Sequence, residues 1–230
     1  MPSDYDTKGP TMTSAADKRR AAQLNEEGLL SYRRWEVEEA IRTFGEAAKL
    51  DPDQPDHHLN LARALARFGD YEGTLRALGE FLRTETDPTL TERFERLFGN
   101  AMDEVETSLT EVMTQHDLPL DIIGAAIQMW MEYRIAVGRR PLDVSHPDAW
   151  AAALDLTVRK VNFRDASLRE IAEWYGAEPS TIRKQHMELV KTLDVMPCDY
   201  RYFRGDQNPL DKLVEAAAML EELEERFRKL

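Results

Sequence analysis

Residues 21–54 read AAQLNEEGLLSYRRWEVEEAIRTFGEAAKLDPDQ, and residues 55–87 read PDHHLNLARALARFGDYEGTLRALGEFLRTETD. The two segments align at a period of about 34 residues, and both carry small and large apolar side chains at helical spacing. Small residues let antiparallel helices approach closely, while Pro52, Gly69 and Asp70 favour breaks between helices. The pattern predicts two consecutive helical hairpins in an all-α protein.

The two hairpins resemble tetratricopeptide repeats. The resemblance is carried by Ala21, Gly28, Ala40, Phe44, Ala47 and Pro52 in the first copy and by Ala62, Gly69 and Tyr71 in the second. Two such repeats leave apolar surface uncovered, so another element must cap them. Apolar side chains recur at helical spacing over residues 89–115, which predicts a cap of one long helix or of two helices joined near Gly99. The first domain is therefore predicted to span residues 21–116.

The resemblance also implies a protein-binding groove along the first helix of each repeat. Its predicted lining is Asn25, Leu29, Tyr32, Arg33, Leu59, Arg63 and Arg67. Arginine pairs well with carboxylates, so we expect the groove to hold an acidic protein or peptide. Two kinds of occupant fit this pattern equally: another protein, or this chain's own N-terminal tail or second domain.

A second helical domain is predicted over residues 118–196. Residues 120–137 are apolar on nearly all sides, which indicates a buried central helix, and residues 147–163 predict a further helix. Residues 167–193 have the spacing of a helix-turn-helix pair, with a turn at Gly176.

These segments resemble one half of a cyclin-box domain of the transcription-factor-IIB type, and also an uncharacterised bacterial domain family found beside tetratricopeptide repeats. The resemblance is carried by WAAALDLTVRKVNF at 150–163 and SLREIAEWYGAEPSTIRKQHMELVKTL at 167–193. Cyclin-box domains bind proteins at least as often as nucleic acids, so the resemblance implies a fold and leaves the role open.

Charge limits the possibility of DNA binding. The whole chain carries a net charge of −13, whereas residues 158–204 carry nine basic and seven acidic side chains. The candidate DNA-binding residues are Arg159, Lys160, Arg164, Ser180, Thr181, Arg183 and Lys184. We expect His186 to pack inside the domain. A protein-interaction adaptor is thus the leading functional prediction, and a DNA-binding regulator using residues 167–193 is the alternative.

Several other functions are not expected. The sequence contains no Gly-rich phosphate loop, HExxH or CxxC motif, so neither an enzyme nor a metal or cofactor site is predicted. Cys198 is the only cysteine, which excludes an internal disulfide and favours a cytoplasmic setting. No apolar run approaches the length of a membrane span.

Both ends of the chain complete the predicted organisation. Residues 1–20 are predicted to be a disordered tail, and residues 197–208 a linker. Residues 208–230 have heptad spacing, which predicts a helix that either docks on the rest of the chain or forms a homodimer contact.

Overall fold

The computed structural model of the protein describes residues 13–99, 101–165, 167–205, 214 and 217–219. Over this part of the chain the secondary structure is helical and includes no strand, which confirms the all-α fold class. The chain divides into two compact units, residues 1–98 and 99–230. No helix in the described part is long and apolar enough to cross a membrane.

The first unit is a series of helical hairpins. Its helices are α1 (Ala15–Arg33), α2 (Val37–Leu50), α3 (Pro55–Phe68), α4 (Tyr71–Thr84) and α5 (Pro88–Glu95), followed by a 3-10 helix (Arg96–Phe98). Helix α1 packs on α2, α3 packs on α4, and α2 packs on α3. Gly69 ends α3 in the left-handed region with a φ of 91°, and the Asp70 side chain caps α4. The repeat pattern therefore places both hairpins correctly.

Gly28 marks the close approach of α1 and α2. A Cβ atom at this position would lie 2.6 Å from Phe44 Cε1 and 2.8 Å from Thr43 Oγ1. Phe44 is 1% exposed, so its ring has little room to move away. The small residue at position 28 is therefore required by packing.

We expect Gly28→Ala to lower the free energy of unfolding by about 1–3 kcal/mol, because the added methyl group overpacks this crossing. Gly45→Ala is the matched control, since a Cβ atom there meets nothing within 4 Å. In that helix interior, alanine should raise stability by about 0.5–1 kcal/mol. Chemical denaturation of both variants checks the prediction, and a stabilised Gly28→Ala protein would contradict it.

The second unit is organised around one helix. Its helices are α6 (Glu104–Gln115), α7 (Leu120–Ala136), α8 (Pro147–Val161), α9 (Leu168–Tyr175) and α10 (Pro179–Leu193). Helix α8 contacts the other four, and 12 of its 15 residues are buried. The sequence predicts residues 120–137 as the central helix, but α7 buries only 10 of its 17 residues. Four alanines at 149 and 151–153 let neighbouring helices approach α8 closely, which explains why it takes the central place.

The predicted cap at 89–115 is divided between the two units. Helix α5 belongs to the first unit and places the Phe94 ring 5.0 Å from the Phe81 ring, edge to face. Helix α6 starts afresh at a capping box formed by Asp103 and Glu106, and its apolar side chains lie in the core of the second unit. The predicted domain boundary at residue 116 is therefore wrong, because helical periodicity alone does not show which core a helix joins.

The predicted linker is also wrong over the residues that the structure describes. Cys198, Asp199, Arg201 and Tyr202 are all buried, and Tyr202 is fully enclosed in the core of the second unit. Asn162 on α8 donates to the Tyr202 carbonyl at 3.0 Å. Residues 197–205 are therefore a folded part of the second unit.

The predictions for the two ends of the chain have different outcomes. Ser14 caps α1 by accepting from the Asp17 N–H, so residues 15–20 are helical and not part of a disordered tail. Residues 1–12 lie outside the described residues. The predicted helix at 208–230, with its proposed homodimer contact, also lies outside them except for residues 214 and 217–219.

Candidate functional site

A chain of hydrogen bonds connects the first helices of the two hairpins. Asn60 on α3 donates from Nδ2 to Asn25 Oδ1 on α1, at 3.0 Å. Arg63, one turn further along α3, donates from Nη1 to Asn60 Oδ1 at 3.1 Å. All three side chains are half-buried. They form a polar row, Asn25–Asn60–Arg63, that is held in place and reaches the surface of the first unit.

Arg67 has a different environment from the one predicted. Its guanidinium lies 3.9 Å from the Tyr32 ring centroid and 4.4 Å from that of Trp35, and it donates to the Tyr32 carbonyl at 3.2 Å. The residue is only 3% exposed. Its predicted role as a groove-lining cation is therefore wrong, because cation–π contacts and burial make it a link between the hairpins.

Trp35 contributes to this link through an unusual backbone conformation. It occupies the turn between α1 and α2 with a φ of 62°, in the left-handed region that bulky side chains rarely adopt. Such a conformation persists only where surrounding contacts favour it. Here the Arg67 guanidinium lies over the indole ring, a contact that the repeat pattern did not reveal.

The other predicted groove residues differ in accessibility. Arg33 is exposed and Leu29 is half-buried, whereas Leu59 and Tyr32 are buried. The Arg63 guanidinium lies 5.3 Å from the Tyr32 ring centroid, so the ring supports it from one side. The accessible surface of α1 and α3 is thus the polar row with Leu29 and Arg33, above a floor made by Tyr32 and Leu59.

The helix-turn-helix-like pair forms locally as predicted. Ser167 caps α9, Gly176 ends it with a φ of 60°, and α10 begins at Pro179. Both helices pack on α8. The seven candidate DNA-binding residues do not share one environment: Lys160, Arg164, Ser180, Arg183 and Lys184 are exposed, Thr181 is half-buried, and Arg159 is buried in an ion pair.

Arg159 is a buried ion-pair partner and not a surface cation. Its Nε atom donates to Asp155 Oδ1 at 2.5 Å, and Asp155 is fully buried. Tyr175 donates to Asp155 Oδ2 at 3.2 Å. Burial raises the pKa of Asp155, while Arg159 and Tyr175 oppose that rise. The proposed phosphate contact by Arg159 is therefore wrong.

His186 packs against α8. Its Nδ1 atom lies 2.8 Å from Thr157 Oγ1, and its Nε2 atom lies 3.3 Å from Lys160 Nζ. Burial, and then the Lys160 ammonium, lower the pKa of His186 to about 4. The imidazole is therefore neutral at physiological pH, as expected for a packed histidine.

No group of three or more His, Cys, Asp or Glu side chains is placed to hold a metal ion among the residues that the structure describes. Comparison with protein-family models, with curated proteins and with solved structures found no match to this chain. The resemblances to tetratricopeptide repeats and to cyclin-box domains consequently rest on the sequence positions given above.

Proposed function

We propose that the protein is a cytoplasmic, non-enzymatic adaptor whose first unit binds an acidic segment of another protein along α1 and α3. The observation that carries the proposal is the Asn25–Asn60–Arg63 row. It presents two amides and one guanidinium on adjacent helices, in fixed positions. Such a row can bind both the backbone and the carboxylates of an extended or helical segment.

The surroundings of Arg63 favour a carboxylate as its ligand. The guanidinium is positioned by Asn60 and by the Tyr32 ring, so less side-chain entropy is lost on binding than for a mobile surface arginine. Arg33 adds an exposed positive charge on α1. Leu29 offers a half-buried apolar contact on the same helix.

Arg67 supports the site indirectly. Its contacts with Tyr32 and Trp35 connect α3 to the end of α1. A surface built on two helices keeps its geometry only if their spacing is fixed. Arg67 is therefore assigned to positioning the row and not to contacting the partner.

The proposal predicts what the full-length protein selects from a random peptide library. Selected peptides should be enriched in Asp and Glu, and their affinities should fall as salt concentration rises. Arg63→Glu should remove the enrichment and weaken a selected acidic peptide at least about tenfold, because it replaces the attraction by repulsion. Fluorescence anisotropy with labelled peptides measures the change.

Arg76→Glu is the matched control. Arg76 lies on α4 with its side chain 73% exposed, and it should keep both enrichment and affinity when reversed. Equal weakening by both reversals would contradict the proposed site, since it would reflect net charge alone. Failure of the parent to select any peptide would contradict an open groove and favour occupation by the chain itself.

DNA binding is the second candidate function. It is favoured by the exposure of Ser180, Arg183 and Lys184 at the start of α10, directly after the Gly176 turn. In helix-turn-helix proteins the start of the second helix contacts base edges. With Arg159 buried in its ion pair with Asp155, the candidate surface has one cation fewer than the sequence predicts.

If α10 contacts DNA, Arg183→Glu with Lys184→Glu should reduce the affinity for duplex DNA at least about tenfold and make its salt dependence shallower. Lys191→Glu is the control, because Lys191 is exposed in the last turn of the same helix. Electrophoretic mobility shifts at several salt concentrations provide the measurement. Absence of DNA binding by the parent protein at low salt would remove this candidate.

A further inference from the structure

A small pocket opens at the surface of the second unit, between α8, α10 and the chain that follows α10. Its volume is about 180 Å³. It is lined by Thr157, Lys160, Val161, His186, Val190, Val195, Met196 and Pro197. The walls are mainly apolar, and Lys160 is the only lysine or arginine of the lining. Neither the groove of the first unit nor the exposed start of α10 includes this pocket.

Hydrogen bonds determine which polar atoms of the pocket donate and which accept, and so where the imidazole proton of His186 lies. The Thr157 hydroxyl donates to the Ala153 carbonyl, one turn earlier in α8. Its oxygen must then accept from His186 Nδ1, which lies 2.8 Å away. The proton of the neutral imidazole is consequently on Nδ1, and Nε2 has a lone pair that faces Lys160 Nζ at 3.3 Å.

This arrangement orients the Lys160 ammonium. A lysine side chain is long and flexible, but here an imidazole acceptor holds its end at the pocket. An ammonium has three N–H donors, so a group held by one acceptor can also bind an anionic oxygen. The neutral His186 adds no second charge, and most of the remaining lining is formed by valine, methionine and proline side chains.

We propose that this pocket binds a small monocarboxylate with an apolar body of about five or six carbons. The carboxylate pairs with the Lys160 ammonium, and the hydrocarbon lies among Val161, Val190, Val195 and Met196. The size is suitable, because an apolar protein cavity of about 150 Å³ accommodates benzene. A dianion is disfavoured, because the lining provides one cation and no partner for a second carboxylate.

Hexanoate is a direct probe, with hexan-1-ol as its uncharged counterpart and succinate as a dianion without an apolar tail. Isothermal titration calorimetry on the full chain should give a Kd for hexanoate on the order of 1 mM, a value typical of a ligand with so few atoms. Hexan-1-ol and succinate should each bind at least about fivefold more weakly. Undetectable hexanoate binding, or equal binding of succinate, would overturn the proposal.

Two variants separate the contributions of charge and cavity. Lys160→Gln should weaken hexanoate binding at least about fivefold and leave hexan-1-ol binding unchanged, because only the carboxylate contact is lost. Lys191→Gln is the matched control: it makes the same change on α10, but Lys191 does not line the pocket, so it should bind hexanoate as the parent does. Equal weakening by both lysine variants would overturn the assignment of Lys160.

Val190→Phe should fill the pocket and abolish binding of both hexanoate and hexan-1-ol. Thermal melting identifies any variant that is not folded. If Val190→Phe fails to fold, chemical-shift changes on hexanoate addition provide the second measurement, and they should be centred on Thr157, Val161 and Val190. Changes centred elsewhere would overturn the proposal.

Discussion

Replacement of Arg201 by methionine is expected to lower the free energy of unfolding of the second unit by about 3–5 kcal/mol. The guanidinium donates to Glu132, to both oxygens of Asp199 at 2.8 and 2.9 Å, and to the Leu193 carbonyl at 2.8 Å. Glu132 and Asp199 are each 2% exposed. Removal of Arg201 therefore leaves two buried carboxylates without their cation.

The loss should depend on pH. Burial raises the pKa of Glu132, and Arg201 and Tyr202 oppose that rise. Without Arg201 the pKa should rise further above its value in the unfolded chain. When the pKa of a carboxyl group is higher in the folded state than in the unfolded chain, the free energy of unfolding decreases as the pH rises through the folded-state pKa. The deficit of Arg201→Met relative to the parent should therefore be larger at about pH 8 than at about pH 5.

Chemical denaturation at the two pH values measures both effects. Arg140→Met is the control, because Arg140 and its partner Glu188 have side chains 58% and 39% exposed. Exposed ion pairs contribute about 0–1 kcal/mol, so this variant should stay close to the parent. An equally small loss of stability in Arg201→Met would contradict the buried ion pair that joins Arg201 to Glu132 on α7.

The second large effect is expected from Arg159→Met, at about 3–5 kcal/mol. This change leaves the fully buried Asp155 with Tyr175 as its remaining hydrogen-bond partner. It also removes the guanidinium that lies 4.8 Å from the Trp174 ring centroid. Asp155 then has to be protonated or to remain as an uncompensated charge inside the unit.

Helix α9 contains an exposed ion pair with the same four-residue spacing as Asp155 and Arg159. Arg169 and Glu173 on α9 are also four residues apart, but their side chains are 88% and 65% exposed. Arg169→Met should change the free energy of unfolding by at most about 0.5 kcal/mol, because solvent screens that pair. Comparable losses in Arg159→Met and Arg169→Met would contradict the role of burial.

A double variant separates the unpaired charge from lost packing. In Asp155→Leu with Arg159→Met both charges are absent, and replacement of a complete buried pair by apolar side chains is often neutral or stabilising. We expect the double variant to be more stable than Arg159→Met alone. If it is less stable, the hydrogen bonds of Asp155 and Arg159 contribute more than the unpaired charge costs.

Local signals were sufficient to predict most of the helices. Pro147 at the first turn of α8, Ser167 at the N-cap of α9 and Gly176 at its end have the same role in the structure as in the prediction. The sequence carries two further signals of this kind: Ser14 with Asp17, which starts α1, and Asp103 with Glu106, which starts α6. The first lies inside the predicted tail, and the second marks the break within residues 89–115.

The candidate groove was predictable in part. The period of the repeats placed Asn25 and Arg63 on adjacent first helices. In the structure, Asn60 connects these two residues by hydrogen bonds. The same period gave Arg67 an equivalent position, yet Arg67 is buried against Tyr32 and Trp35. Repeat spacing specifies the helix face of a residue, whereas its burial depends on the neighbours that cover that face.

The sequence by itself determined the all-α class, the two hairpins and the limits of α8, because hydrophobic periodicity, caps and helix breakers act within a few residues of each other. The tertiary structure alone decided which arginines are surface cations. Arg201 meets Glu132 across 69 residues and Arg67 meets the Tyr32 carbonyl across 35. Arg159 has its partner only one turn away, but its burial depends on α8 being surrounded by four helices. A charged side chain becomes buried when distant segments supply its counter-charge and exclude water, and local sequence contains no record of that arrangement.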